Sequence, residues 1–456
     1  MFPKSSVRPQ RPGFVNEIAR LYRDAVESRF FVLGGPVLFS VVLFASTYVL
    51  MLSFEKYRPV IALASAAVYV VSGMLPLAKA FSYVDWNVLM MIAGTMGTVA
   101  LLIESKMPAL IADLILERVP NVKWAIVTLS LFAGLVSAFI DNVATVLMIA
   151  PIALAISKKL NVSPVGMVIA IAVSSNLQGA ATLVGDTTSI LLGGYAGMNF
   201  LDFFFFNGKP GIFFAVELGA VCAASLLLLL FRKETGKVQA QERTKVTDYM
   251  PSVLMLLTVL LLIVASLFPN TPKLINGEIC LGLMVIGILI KSIRKHSVKA
   301  AVDVFKAIDF STLLLLFGLF LVVGGITETG VVDAIASLFT RLGGGNLFLI
   351  YTIIVWASVL FSAFIDNIPY VATMLPVTQG IATAMGIDPT ILFFGLLSGA
   401  TLGGNLTPVG ASANITGIGI LRKEGYAVKN FDFLRIGVPF TLAAVIPAYI
   451  YFWVLF

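Results

Sequence analysis

Long apolar runs separated by short polar ones dominate the chain. About 20 residues cross a bilayer core, and runs near that length lie at 30–54, 59–81, 86–103, 211–231, 250–268, 278–293, 310–326 and 436–456. Four other segments are apolar but interrupted. Residues 124–157 contain Ser137, Asp141, Asn142 and Pro151, and residues 167–194 are cut by a polar, Gly-rich stretch. The same two kinds of segment return at 347–383 and 392–421. The polar run 232–248 (RKETGKVQAQERTKVTD) reads as a cytoplasmic linker between two halves. Residues 1–29 carry charges of both signs and read as an amphipathic surface segment.

The two halves match. Ser137-Ala-Phe-Ile-Asp-Asn142 recurs letter for letter as Ser362-Ala-Phe-Ile-Asp-Asn367, an offset of 225 residues (141 to 366). Pro151 and Pro376 keep that offset, as do Thr182-x-Val-Gly185 and Thr407-x-Val-Gly410. Asp85/Asp309, Gly94/Gly318 and Glu104/Glu328 stand 224 apart (85 to 309). A collinear set of this extent is an internal duplication, a common origin of secondary-transporter folds. The expected fold is an all-α polytopic membrane protein with two inverted-topology repeats, 30–231 and 249–456. Each repeat is expected to hold three spans, a re-entrant helical hairpin (about 124–157 and 346–385), a broken helix (about 164–195 and 389–421) and a final span.

The inversion is read from Lys and Arg, which collect on cytoplasmic flanks. The first hairpin is flanked by Lys123 and by Lys158-Lys159, so its ends face the cytoplasm. The second lies between Gly343-Gly344-Gly345 and Gly386-Ile-Asp388, and its ends face outward. Counting spans back puts the N-terminus outside, whereas the six Lys and Arg of residues 1–29 favour the cytoplasm.

Composition narrows the function classes. The 456 residues are 59% hydrophobic and 12% charged, against about 25% charged in soluble domains. That excludes a soluble enzyme, a nucleic-acid binder and a disordered chain. The net charge of +7 fits the basic cytoplasmic loops of a multi-pass protein of the cell (inner) membrane. Cys222 and Cys280 sit alone in apolar runs, and His296 is a loop residue of a basic stretch. Neither a zinc site nor a nucleophile–base pair has residues to build from. The chain is therefore not expected to be an enzyme, and no organic cofactor is implied.

The chemistry lies in the few polar residues left at mid-depth. Backbone that leaves a helix inside a bilayer must be satisfied by protein or by a wet cavity. The economical structure puts Asp141 and Asn142 at a hairpin tip, with Asn142 capping the returning helix and Asp141 near its positive end. Asp366 and Asn367 take the equivalent place. Asn176 and the run 179–189 break the next span, with Gly185 permitting the unwinding; residues 403–414 are their counterpart. Burying an Asp at mid-membrane costs at least about 2.5–3.5 kcal/mol, so two at equivalent positions point to function. Asp186, whose partner is Ala411, is either a third titrating group or a helix N-cap. Asp85 and Asp309 read as dipole partners at helix starts, and Glu104 and Glu328 as interfacial residues at span ends. A carboxyl group desolvated here can exchange a proton near neutral pH. With Asn and Thr oxygens beside it, it also makes a hard-cation site suited to Na⁺.

At these residues the chain resembles the ion transporter superfamily. That group includes arsenite permeases, the melanosomal P protein, sodium/proton antiporters and divalent-anion/sodium symporters with a citrate-transporter-like domain. The resemblance rests on the doubled Ser-Ala-Phe-Ile-Asp-Asn, on Ala181-Thr-Leu-Val-Gly-Asp186 and on Thr407-Pro-Val-Gly-Ala-Ser-Ala-Asn414. It implies a homodimer with a scaffold domain and a transport domain that slides as an elevator. It places coupling ion and cargo at the tips and breaks: Asp141, Asp366 and Asp186 for H⁺ or Na⁺. Ser137, Asn142, Asn176, Thr182, Gly185, Ser362, Asn367, Asn405, Thr407, Gly410, Ser412 and Asn414 would line the site, with any bound Na⁺ at Asp141, Asn142, Asp366 and Asn367. The dicarboxylate symporters carry Ser-Asn-Thr at the tips where this chain has Asp-Asn, so citrate loses ground. Arsenite or antimonite efflux, with an accessory ATPase subunit as a partner in that case, is the leading cargo; Na⁺/H⁺ antiport and Na⁺-driven citrate or dicarboxylate transport are the alternatives. Expected partners are otherwise lipid, a second copy and the small ion, with no nucleic acid. A passive channel is the reading from another class, and it calls for a polar stripe through several spans.

Overall fold

The structure is a computed structural model that describes residues 35–160, 162–237, 243–268, 271–297 and 299–456. The amphipathic reading of 1–29, the start of the first apolar run and the side of the N-terminus lie outside the described residues. Twenty α-helices occur among the described residues. They are α1 Pro36–Ser53, α2 Arg58–Val71, α3 Leu77–Ala80, α4 Trp86–Ser105, α5 Met107–Leu116, α6 Val122–Ser137, α7 Asn142–Leu160, α8 Val165–Gly179, α9 Thr187–Ala196 and α10 Ile212–Leu230. The order continues with α11 Met250–Ser266, α12 Ile275–Lys295, α13 Lys299–Ala307, α14 Phe310–Glu328, α15 Val331–Gly343, α16 Leu347–Ser362, α17 Asn367–Met385, α18 Thr390–Gly403, α19 Ser412–Lys423 and α20 Asn430–Leu455. A two-stranded ribbon, β1 Phe205–Phe206 with β2 Lys209–Pro210, precedes α10.

Local chemistry sets the boundaries. Asp85 caps α4 by accepting from Val88 N at 3.0 Å, and Asn121 and Asn346 cap α6 and α16 through Trp124 N and Leu349 N, each at 3.2 Å. Side-chain oxygens there satisfy backbone donors that a helix start leaves open. Pro36, Pro59, Pro108 and Pro251 sit in the first turns of α1, α2, α5 and α11, where a missing N–H costs nothing.

Seven helices among the described residues are long and apolar enough to cross a membrane: α1, α4, α7, α10, α12, α14 and α20. The chain is a multi-pass membrane protein. The run 59–81 is not one span. It stops at Val71, turns through Gly73 with Leu75 N bonded back to Tyr69 O at 2.9 Å, and resumes as α3 after Pro76. A proline cannot donate into a continuing helix and disfavours helical backbone before it. The helix α11 has 17 residues and falls just short of span length. Three short helices, α5, α13 and α15, add to the elements that the apolar runs predict. Their charged residues interrupt those runs without breaking the helical period.

The molecule divides into two compact units, each drawing on both sequence halves. The first contains α1, α2, α3 and the end of α14. Within it Tyr69 OH donates to Ser40 O at 2.8 Å, Thr47 Oγ1 meets Ser65 Oγ at 2.7 Å, and Gly318 lets α14 close on the backbone of Ala62. Lys79 and Tyr83 both bond Glu328, at 2.9 and 2.7 Å.

The second unit holds Asp85–Phe317 and Val332–Phe456. Its helices pack mainly as α4 on α12, α6 on α8, α16 on α18 and α10 on α20. The halves interlock, since α19 packs on α7 and α8 while α9 packs on α17 and α18. Glu104 at the end of α4 pairs with Lys291 on α12. The described parts of the polar linker dock by backbone bonds, with Gly236 O accepting from Val122 N and Glu234 O from Lys123 N, each at 2.9 Å. Arg243 grips Glu117 at 2.6 Å and holds its carboxyl below the usual carboxylate range. Cys280 is buried in α12 and Cys222 is half-buried in α10; both are free thiols.

Candidate functional site

The two hexamers fold alike. Ser137 ends α6 and Ser362 ends α16; residues 138–141 and 363–366 turn the chain, and α7 and α17 lead back. The cap of each returning helix is the aspartate. Asp141 Oδ1 accepts from Val143 N at 3.0 Å and from Ala144 N at 3.1 Å, and Asp366 Oδ1 accepts from Ile368 N at 3.2 Å. The pattern of the hexamer points to Asn142 as the cap, and the structure corrects this. Asn142 is already the first helical residue, so its amide is free to reach across and donate to Asn176 Oδ1 at 3.0 Å.

The broken helices open at matching places. Residues 180–186 separate α8 from α9, and a short 3₁₀ turn (Gly404–Leu406) with residues 407–411 separates α18 from α19. Thr182 Oγ1 donates to Ala138 O and Thr407 Oγ1 to Ala363 O, pinning each break to a hairpin tip. Gly185 and Gly410 make that approach possible. A Cβ on Gly185 would lie 2.7 Å from both Ser137 O and Ala138 O, and one on Gly410 would lie 2.7 Å from Ser362 O and 2.9 Å from Ala363 O. These four residues therefore work by closing the tip onto the break, with the threonine hydroxyls already committed to carbonyls.

Between the halves runs a chain of amides. Asn176 Nδ2 donates to Thr401 O at 2.7 Å and Asn405 Oδ1 at 3.1 Å, and Asn405 Nδ2 donates to Val173 O at 2.9 Å. Ser175 Oγ donates to Asn142 O at 3.0 Å. Ser362 Oγ donates to Ala400 O at 2.5 Å, and Asn414 Nδ2 to Gly404 O at 3.0 Å. Among the described residues, Ser137 Oγ and Asn414 Oδ1 are buried oxygens with no hydrogen-bond partner. Each can accept or coordinate without first breaking a bond.

A cavity of about 330 Å³ lies against this framework. Asp141, Asn142, Asp186, Asn367 and Ser412 line it, with Thr187, Asp309 and Thr312 joining them. Met96, Val99, Ala100 and Ile103 of α4 supply its apolar wall. Asp186 stands at the start of α9 but its carboxylate does not cap that helix. It accepts from Thr188 Oγ1 at 2.7 Å and from Asn367 Nδ2 at 3.4 Å, and Thr188 reaches on to Thr401 at 2.9 Å. Asp366 lies outside the lining and meets it through Ser412 Oγ at 3.2 Å. Asn176, Thr182, Gly185, Ser137, Ser362, Asn405, Thr407, Gly410 and Asn414 stand behind the wall as its support.

Asp309 reads from the sequence as a dipole partner at a helix start, and it does cap α14 through Thr312 N at 3.2 Å. It is also exposed at the rim of the cavity, which makes a graded series from exposed Asp309 through half-buried Asp141 to Asp186 at 3% exposure. Asp85, its partner in the repeat, instead packs against Gly194. Thr188 and Thr401 join the site without a sequence signal of their own, although Thr401 is the 225-residue equivalent of Asn176. Among the described residues, no Lys or Arg enters the lining and no group of three or more His, Cys, Asp or Glu is placed to hold a metal ion.

This geometry has relatives. A family model described as a citrate transporter, CitMHS, matches residues 48–399. An uncharacterized transporter of Mycobacterium tuberculosis is 32% identical over 431 residues, covering 91% of this chain and 97% of the relative. The P protein of Mus musculus is 25% identical over 492 residues, covering 88% of this chain and 58% of that longer protein. Among solved structures, the Alcanivorax borkumensis YdaH transporter superposes with a TM-score of 0.57 at 13% identity, over 92% of this chain and 98% of that one. That likeness is one of fold. The chain belongs to the CitMHS citrate transporter family of membrane transporters.

Proposed function

We propose that the protein is a secondary active transporter of the cell membrane driven by H⁺ or Na⁺, with Asp141, Asp186 and Asp366 handling the driving ion. The observation that carries this is the cavity lined by Asp141, Asp186 and Asp309 with no cationic side chain among the described residues. Two like charges about 4 Å apart in a partly solvated site repel by about 4 kcal/mol. A free tricarboxylate would meet that repulsion several times over. A cation, or a neutral oxyacid such as arsenite or antimonite, would not, and arsenite or antimonite efflux is the cargo proposed first. Na⁺/H⁺ exchange is the second reading, favoured by the series of carboxylates from rim to interior. Transport, not conduction, is supported by the amides behind the cavity, which are hydrogen-bonded to one another and to backbone carbonyls. The matching bonds at both hairpin tips support an internal repeat, and the inverted topology, elevator motion and homodimer that the family resemblance implies are proposed together with it.

The test is flux into proteoliposomes under imposed pH and Na⁺ gradients, with arsenite, citrate and Na⁺ offered in turn. Asp141→Asn and Asp366→Asn are expected to abolish gradient-driven transport while folding is kept. Strictly Na⁺-dependent citrate uptake would overturn the order of cargoes. A cross-link that fixes the hairpins against α4 is expected to stop flux; continued conduction would favour a channel.

A further inference from the structure

Among the described residues, Glu217 is a carboxyl group of a membrane-spanning helix that the transport site does not use. Glu217 is the sixth residue of α10, about 8 Å along the helix axis from its start. It is half-buried, and among the described residues its hydrogen-bond partner is Gln178, whose Nε2 donates to Oε1 at 3.1 Å and Oε2 at 2.9 Å. Gln178 is 3% exposed, and its own Oε1 is buried without a partner among the described residues. That oxygen points at Gly134, where a Cβ would collide with it. Gln178 stands next to the break of the first broken helix, and Gly134 lies one turn before Ser137 on the first hairpin arm.

Among the described residues no cation answers Glu217. The elements packed on α10 are α6, α8 and α20. Helix α8 carries no charged residue and α6 carries only Lys123, in its first turn. Helix α20 carries Asp432 and Arg435 near its start and Tyr449 and Tyr451 near its end, where Tyr451 OH is spent on Pro210 O. An ionised carboxyl inside a bilayer costs several kcal/mol unless it is paired, so such residues mark ion or proton pathways. The 225-residue counterparts of Gln178 and Glu217 are Gly403 and Leu442, so this pair is confined to the first half.

We propose that Glu217 is a further proton-binding group, outside the transport site, and that Gln178 passes its protonation state to the first hairpin arm at Gly134. Two orientations of one amide suit the two states. In the structure the Gln178 NH₂ faces Glu217 and Oε1 lies stranded against Gly134, the orientation that suits an ionised Glu217. With Glu217 protonated, its O–H requires an acceptor. Turning the amide presents Oε1 to Glu217 and moves the NH₂ to the hairpin arm. A proton taken up beside the broken helix thus changes a donor into an acceptor, or the reverse, where hairpin and break meet. The inference deepens the reading of an ion-driven transporter.

The test is infrared difference spectroscopy of the full chain in lipid vesicles, titrated over pH. Wild type is expected to show a pH-dependent protonated-carboxyl band that Glu217→Gln loses and that Gln178→Leu shifts in frequency. An unchanged spectrum in both variants overturns the proposal. So does a band that is lost in Glu217→Gln but is constant over pH in wild type, since a permanently neutral group carries no proton. If Glu217→Gln yields no folded protein, the Gln178→Leu shift decides alone. The band does not depend on which solute is carried, so failure of the proposed function would leave this result standing.

Discussion

Replacing Gly410 by Ala places a methyl group among three backbone carbonyls. The Cβ would lie 2.6 Å from Gly404 O, 2.7 Å from Ser362 O and 2.9 Å from Ala363 O. A relaxed carbon–oxygen contact is about 3.3–3.6 Å, so the oxygens must retreat by about 0.4–1.0 Å. The oxygens belong to the hairpin tip on one side and the helix break on the other. Relief therefore means separating tip from break, which stretches the bond from Thr407 to Ala363 O. Overpacking of this kind costs about 1–3 kcal/mol and a lost hydrogen bond adds about 1 kcal/mol, giving about 2–4 kcal/mol together. Gly419 is the control. It lies inside α19 with nothing within 4 Å of its Cβ position, so Gly419→Ala is expected to be neutral or to stabilise by about 0.5–1 kcal/mol. The assay is denaturant unfolding of both variants in detergent micelles, with ion flux measured alongside. Equal stability of Gly410→Ala and Gly419→Ala would refute the claim that the break is seated on the tip.

Other outcomes follow from the same geometry. Asp141→Asn keeps a good cap for α7 and is expected to leave stability within about 0.5 kcal/mol, whereas Asp141→Ala is expected to cost about 1 kcal/mol, read by the same unfolding assay. Asp309→Asn removes the outermost carboxylate of the cavity while keeping a capping side chain, so it is expected to raise the cation concentration for half-maximal flux severalfold, with the unfolding midpoint unchanged; an unaltered concentration dependence would remove Asp309 from the route. The Glu117 carboxyl is held below its usual range by Arg243, so its contribution to linker docking is full above about pH 4.3 and is lost as the pH falls through the lowered value. The protection of the amides of 244–247 against hydrogen exchange, taken relative to the intrinsic rate at each pH, is expected to fall in acid in wild type, and Arg243→Gln is expected to remove that dependence.

Much of the framework is legible in the chain without coordinates. A hexamer repeated with its proline and glycine offsets locates both hairpins and both breaks, because unwinding inside a bilayer demands particular residues in a fixed order. Asp141 and Asp366 at the tips follow from the cost of burying charge. Other features are not encoded locally. Asp309 joins Asp141 at one cavity only in the folded chain, where α4 packs on both α13 and the hairpin helix α7, a placement that no spacing reveals. Glu217 reads as one acidic residue near a helix start until Gln178 is found against it. The stop at Val71 is legible in Ser72-Gly73 and Pro76, but continuous hydropathy across 59–81 masks it. The cap at Asp141 in place of Asn142 turns on a one-residue shift of a helix start, which only the backbone resolves.

Binding of the driving ion by mid-membrane aspartates underlies the proposed function. Proteoliposome flux under imposed pH and Na⁺ gradients, compared among wild type, Asp141→Asn and Asp366→Asn, tests it most directly. Gradient-driven transport is expected in wild type and none in either variant, with folding intact. Full gradient-driven transport in both variants would contradict it.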